Sequence, residues 1–69
     1  MNNEFLSKLG EKIRQIRKLK EKSLLDIAAA TGIDKPHISA MENGKRNITV
    51  QTLKKIADAL EVEPFELLK

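Results

Sequence analysis

The apolar residues of this chain recur three and four positions apart nearly everywhere, and they nowhere alternate over a useful length. A spacing of three and four lines up one face of an α-helix, whereas a half-buried strand needs every second residue. The chain is therefore predicted to be all-α. Its 69 residues make one domain, residues 1–69, and a domain this small buries only roughly 60% of the surface its unfolded chain exposes. There is no cysteine, and His37 is the one histidine. Neither a disulfide nor a Cys/His zinc site can reinforce such a core, so no metal is expected. Helix packing, alone or with association of copies, has to supply the stability.

Local signals divide the helical pattern. A first helix is predicted over residues 3–20, with Phe5, Leu6, Leu9, Ile13 and Ile16 on its apolar face. Gly10 interrupts it at a cost of roughly 1 kcal/mol against alanine, which suits a close approach by another helix. Glu21 and Lys22 end this helix without a glycine. Ser23 and Asp26 stand at capping-box spacing and start a second helix, whose inner face is Ile27, Ala28 and Thr31. Gly32 ends it. Asp34 caps a third helix, Pro36 sits in its first turn, and Ile38 and Met41 point inward. About three residues join the second and third helices, the connection length of a helix-turn-helix. Asn43-Gly44 ends the third helix, and a polar, basic loop follows. Thr49 caps a fourth helix facing inward through Leu53, Ile56, Ala57 and Leu60. A short fifth helix opens on Pro64, with Phe65 and Leu68 expected on the core.

Net charge is only +3, but it is unevenly spread. Residues 11–22 carry Lys12, Arg14, Arg17, Lys18, Lys20 and Lys22 against two glutamates, while residues 56–69 carry Asp58, Glu61, Glu63 and Glu66 against Lys69. One basic end suits a protein that presents a side to a polyanion. No apolar run approaches the ~20 residues that span a bilayer, and the first fifteen residues lack the features of a signal peptide. A cytoplasmic protein with no membrane association is expected. No nucleophile stands near a base, no carboxylates pair in a plausible pocket and no glycine-rich phosphate loop occurs. Neither enzymatic activity, a cofactor nor a small-molecule ligand is expected.

The combined spacing of Ile27-Ala28, Gly32, Ile38-Ser39, Met41-Glu42-Asn43-Gly44-Lys45 and Ile56-Ala57-x-x-Leu60 resembles the Xre/Cro-type helix-turn-helix family, which includes the lambdoid phage repressors. The resemblance runs from Leu9 to Leu68. It implies a five-helix, lambda-repressor-like fold, with the helix-turn-helix over about residues 23–43 and centred on residues 28–42. It also implies an ion pair between Arg17 and Glu42. In such a fold the second helix of the motif enters the major groove of double-stranded DNA. That makes Lys35, Pro36, Ser39 and Ala40, with His37 beside them, the expected base contacts. Lys45, Arg46, Asn47 and Thr49 are the expected phosphate contacts, followed by Asn43, Ser23 and the backbone N–H of Leu24. Lys35 can donate to guanine, and Ser39 can bond either way. Pro36 and Ala40 offer only apolar contact, so hydrogen-bond readout is sparse. For His37, packing against a neighbouring helix is as good a reading as DNA contact.

The chain departs from the family around residues 19–25. Leu24 and Leu25 stand where polar residues are usual, Leu19 lies off the apolar face, and Lys22 replaces a buried leucine. Either Leu24 or Leu25 covers the core in place of Lys22, or the leucines form an exposed patch for a partner. Dimerisation is expected because such proteins read paired half-sites. Its candidates are Leu60, Val62, Phe65 and Leu67, with Leu67 the sharpest and Phe5 and Leu6 a second possibility. The expected function is a sequence-specific transcriptional regulator, a repressor binding a palindromic operator as a homodimer. The alternative is a protein-interaction module or antitoxin on the same fold.

Overall fold

Four α-helices and one 3-10 turn make up the computed structural model, which describes residues 4–69. They are α1 (Glu4–Leu19), α2 (Leu24–Thr31), α3 (Lys35–Glu42), α4 (Val50–Leu60) and the turn Pro64–Leu67. No strand occurs among the described residues. The predicted first helical position, Asn3, lies outside them.

Each α-helix stops at a residue in the left-handed region, and the four stops use two chemistries. Gly32 (φ 78°) and Gly44 (φ 73°) follow α2 and α3, whereas Glu21 (φ 57°) and Glu61 (φ 62°) follow α1 and α4. After α1, the Lys22 N–H donates to the Arg17 carbonyl and the Glu21 N–H to that of Lys18, both at 3.0 Å. Val62 and Glu61 do the same with Ala57 and Asp58. These are Schellman closures, which satisfy carbonyls that a helix end otherwise leaves bare. A left-handed glutamate costs roughly 1–2 kcal/mol that glycine avoids.

The helix starts are built as their side chains dictate. Ser23 Oγ accepts from the Asp26 N–H at 3.0 Å, and the Ser23 N–H donates to Asp26 Oδ2 at 2.8 Å, a reciprocal capping box. Thr49 Oγ1 accepts from the Thr52 N–H at 3.1 Å. Asp34 holds the N-cap position of α3, but its carboxylate makes no capping hydrogen bond. The carbonyl of Asp34 instead takes the N–H groups of His37 and Ile38.

The core gathers Leu9 and Ile13 of α1, Ile27 of α2, Ile38 and Met41 of α3, Leu53, Ile56, Ala57 and Leu60 of α4, and Leu67 of the turn. Full burial of one such large aliphatic side chain contributes roughly 1.5–3 kcal/mol. α3 packs against α1 and α2, α2 also rests on α4, and the turn closes over α4 and α1. Gly10 is where α1 meets the end of α3. A Cβ built there strikes the Met41 carbonyl oxygen and comes within 2.6 Å of the Glu42 carbonyl oxygen. One turn earlier, a Cβ on Gly44 would come within 2.7 Å of Ser7.

Several expectations are corrected. The fifth helix is a single 3-10 turn: its bonds, Glu66 N–H to Glu63 and Leu68 N–H to Phe65, span three residues rather than four. In a 3-10 turn residues i and i+3 eclipse, so Pro64 and Leu67 share one side and Phe65 and Leu68 the other. Leu67, the sharpest dimer candidate, is only 1% exposed, and Leu60 is fully buried, so both belong to the core of one chain. Phe65 and Leu68, expected inside, are 59% and 52% exposed. Phe5 also lies outside the core, 65% exposed, since Leu9 is the first core residue of α1. Near residue 24 the two readings divide: Leu24 packs on the core, while Leu19 and Leu25 stay 81% and 66% exposed.

Candidate nucleic-acid interface

Two short helices joined by Gly32, Ile33 and Asp34 form the centre of the candidate site. α2 ends by donating the Gly32 N–H to the Ala28 carbonyl at 2.9 Å. Thr31 steadies the turn: its hydroxyl donates to the Ile27 carbonyl at 2.7 Å and accepts from the Ile33 N–H at 3.2 Å. Ile33 packs partly on the core. The chain then enters α3 through Asp34 and Pro36, whose missing N–H costs nothing in a first turn.

α3 buries Ile38, Met41 and Glu42. At about 100° per residue, the opposite side carries Pro36, Ala40 and Asn43, flanked by Lys35 and Ser39 on one edge and His37 on the other. Lys35, Pro36 and Asn43 are exposed, while His37, Ser39 and Ala40 are half-buried. The helix therefore leaves its outward side open.

Glu42 fixes the far end of α3. Arg17 Nε donates to Glu42 Oε2 at 2.7 Å and Nη2 to Oε1 at 3.1 Å, a two-pronged pair with both partners buried. The third nitrogen, Nη1, donates to the Lys22 carbonyl at 3.0 Å. One guanidinium thus ties α1, the α1–α2 loop and the end of α3 together, each of its three nitrogens bonded inside the protein.

Beyond α3, Lys45, Arg46 and Asn47 stand exposed on one loop. They are two cations and an amide on backbone anchored at Gly44. Thr49 is exposed, but its hydroxyl is engaged: it accepts from the Thr52 N–H and donates to Thr52 Oγ1 at 3.0 Å. Ser23 is likewise engaged in the α2 capping box. The α2 box also holds the Asp26 carboxyl below its ordinary value of 3.8, through the Ser23 N–H first, then the Ser23 hydroxyl, with nearby Lys22 adding to it.

Two residues at this surface lie outside the expected DNA contacts. Arg14 lines a shallow cleft with Ser7, Glu42 and Asn43, between α1 and the end of α3. Its place one turn before Arg17 was the available signal. Asp34, expected only as a cap, is exposed and precedes exposed Lys35 in the chain. No group of three metal-ligating side chains occurs among the described residues, and no described helix is long and apolar enough to cross a membrane.

Comparison with known proteins places this geometry among others. A sequence model described as helix-turn-helix matches residues 13–67. Control protein C.BamHI of Bacillus amyloliquefaciens is 36% identical over 69 residues, covering 99% of this chain and 85% of that protein. The crystal structure of the restriction-modification controller protein C.AhdI from Aeromonas hydrophila superposes with a TM-score of 0.87 at 35% identity, over 90% of this chain and 94% of that one. The restriction-modification controller protein C.Esp1396I, crystallised as a tetramer with its natural 35 base-pair operator, gives a TM-score of 0.83 at 34% identity, over 96% of this chain and 97% of that one.

Proposed function

Because this chain belongs to the helix-turn-helix family, we propose that it is a sequence-specific double-stranded DNA-binding transcriptional regulator, acting as a repressor on a palindromic operator as a dimer. The observation that carries the reading is the open outward side of α3, held between the Arg17–Glu42 pair and the exposed Lys45-Arg46-Asn47 loop. α3 enters the major groove. Lys35 donates to guanine, Ser39 bonds to a neighbouring base, and Pro36 and Ala40 make apolar contact. His37 stands at the edge of this surface.

Lys45, Arg46, Asn47 and Asn43 hold the phosphates, and Arg14 reaches the same backbone from α1. At the start of α2 the Ser23 and Leu24 backbone carries the contact, since the Ser23 hydroxyl is used in capping and the Leu24 side chain is apolar. The same holds for Thr49, whose hydroxyl is bonded to Thr52. The first turn of α4 offers backbone N–H groups there. A protein that reads operator DNA works beside that DNA, which in a bacterial or phage setting is the cytoplasm.

The dimer surface is assigned to the exposed Phe5, Phe65 and Leu68, while half-buried Val62 packs against the core. Phe5 and Leu68 line a depression of about 300 Å³ at the meeting of α1 and the C-terminal turn. Sedimentation of the wild type and of Phe65→Ser/Leu68→Ser checks this: the variant should sediment as a monomer.

Selection of bound duplexes from random DNA tests the main reading, followed by titration of the enriched duplex at several salt concentrations. An enriched two-fold symmetric motif supports it. No enrichment, with binding that vanishes at physiological salt, would overturn it. A second reading, a protein-interaction module, is favoured by the exposed Leu19 and Leu25. Leu19→Ser/Leu25→Ser should leave DNA affinity intact on this reading.

A further inference from the structure

On the outward side of α3, the middle stretch before the C-terminal Asn43 lacks hydrogen-bonding side chains at its centre. Pro36 and Ala40 lie there four residues apart, in one row along the helix. Neither side chain carries a donor or an acceptor. Ser39 beside them is short, so nothing between Lys35 and Asn43 except His37 at the edge is long enough to hold the helix away from a base edge. The apolar group that base pairs present in the major groove is the C5 methyl of thymine.

We propose that the Pro36–Ala40 row reads pyrimidine C5-methyl groups, so that discrimination at the middle of each half-site rests on methyl contact rather than on hydrogen bonds. This rests on the DNA-binding reading above. The row makes no use of the pairing edge, so it accepts the methyl of 5-methylcytosine as it accepts that of thymine. Burial of one methyl corresponds to roughly fourfold in affinity.

The test uses the full chain and the duplex enriched by selection. Each thymine is replaced in turn by uracil, which removes the methyl and keeps the pairing. One or two positions per half-site should lose about three- to fivefold in affinity. At those positions 5-methylcytosine should bind more tightly than cytosine. The uracil effect should shrink in Ala40→Gly or in Pro36→Ser, with far-UV circular dichroism showing each variant folded. Tolerance of uracil at every position, in a duplex still tightly bound, would overturn the methyl reading and leave DNA recognition standing. A uracil effect undiminished in both variants would assign the methyl contact elsewhere and equally overturn it. Failure to enrich any duplex would overturn both readings together.

Discussion

Arg17 and Glu42 lie 25 residues apart in the chain, yet the guanidinium meets both carboxylate oxygens, at 2.7 and 3.1 Å, with the pair almost sealed from solvent. Removing one partner strands the other's charge. Glu42→Ala is expected to cost about 3–5 kcal/mol, most of what a chain of this length holds, on the order of 3–10 kcal/mol. Replacing both, as in Arg17→Met/Glu42→Leu, should cost far less. Urea unfolding of the three proteins checks this; equal losses in the single and double variants would contradict it.

Gly10 reverses a familiar rule. In an exposed helix, Gly→Ala gains roughly 1 kcal/mol. Here the added methyl meets the carbonyl oxygens of Met41 and Glu42, backbone atoms that cannot swing aside. Gly10→Ala should therefore destabilise the fold by about 1–3 kcal/mol. A rise in thermal midpoint would show that α1 and α3 are not in such close contact.

Glu21 and Glu61 predict the opposite sign. Both hold left-handed backbone that glycine adopts without strain. The gain is partly offset, because glycine leaves the unfolded chain freer. Glu21→Gly and Glu61→Gly should each stabilise by about 0.5–1 kcal/mol, and additively, since they end different helices. Thermal melts of the two single variants and the double variant read this directly.

Asp26 sets a pH dependence. The Ser23 N–H, then its hydroxyl, lower the carboxyl in the folded chain below its ordinary 3.8. A folded value below the unfolded one means the contribution is complete above about 3.8 and disappears as the pH falls through the folded value. Asp26→Asn should lose this contribution at neutral pH, where it is complete, and so flatten the acid limb of stability over that window. Carboxyl titration by NMR should show Asp26 titrating low, moving up toward its ordinary value in Ser23→Ala.

The legible parts of the fold were those where one residue type does one job. Ser23 with Asp26, Gly32 and Gly10 each signalled a cap, a stop or a close approach before any packing was known. The left-handed Glu21 carried no such signal, because the Schellman hydrogen bonds, not its side chain, hold it there. The C-terminal turn was misread for a geometric reason. Phe65 and Leu68 form one i, i+3 pair and Pro64 and Leu67 another, so either pair could face the core. Only the docking of the turn on α4 and α1 decides for Leu67. At the candidate site, residue placement followed from the motif's spacing. The engagement of the Ser23 and Thr49 hydroxyls did not, since it depends on which N–H each oxygen captures.

The central claim is that α3 reads sequence. Its most direct test is the ratio of affinities for the selected duplex and a scrambled duplex of equal length, at 0.15 M salt, for the wild type, Lys35→Ala and Arg46→Ala. The wild type should show a ratio of about a thousandfold or more. Lys35→Ala should show a sharply reduced ratio. Arg46→Ala should lose similar affinity on both duplexes, with the salt slope lower by about one. Equal affinity of the wild type for the two duplexes would contradict the claim.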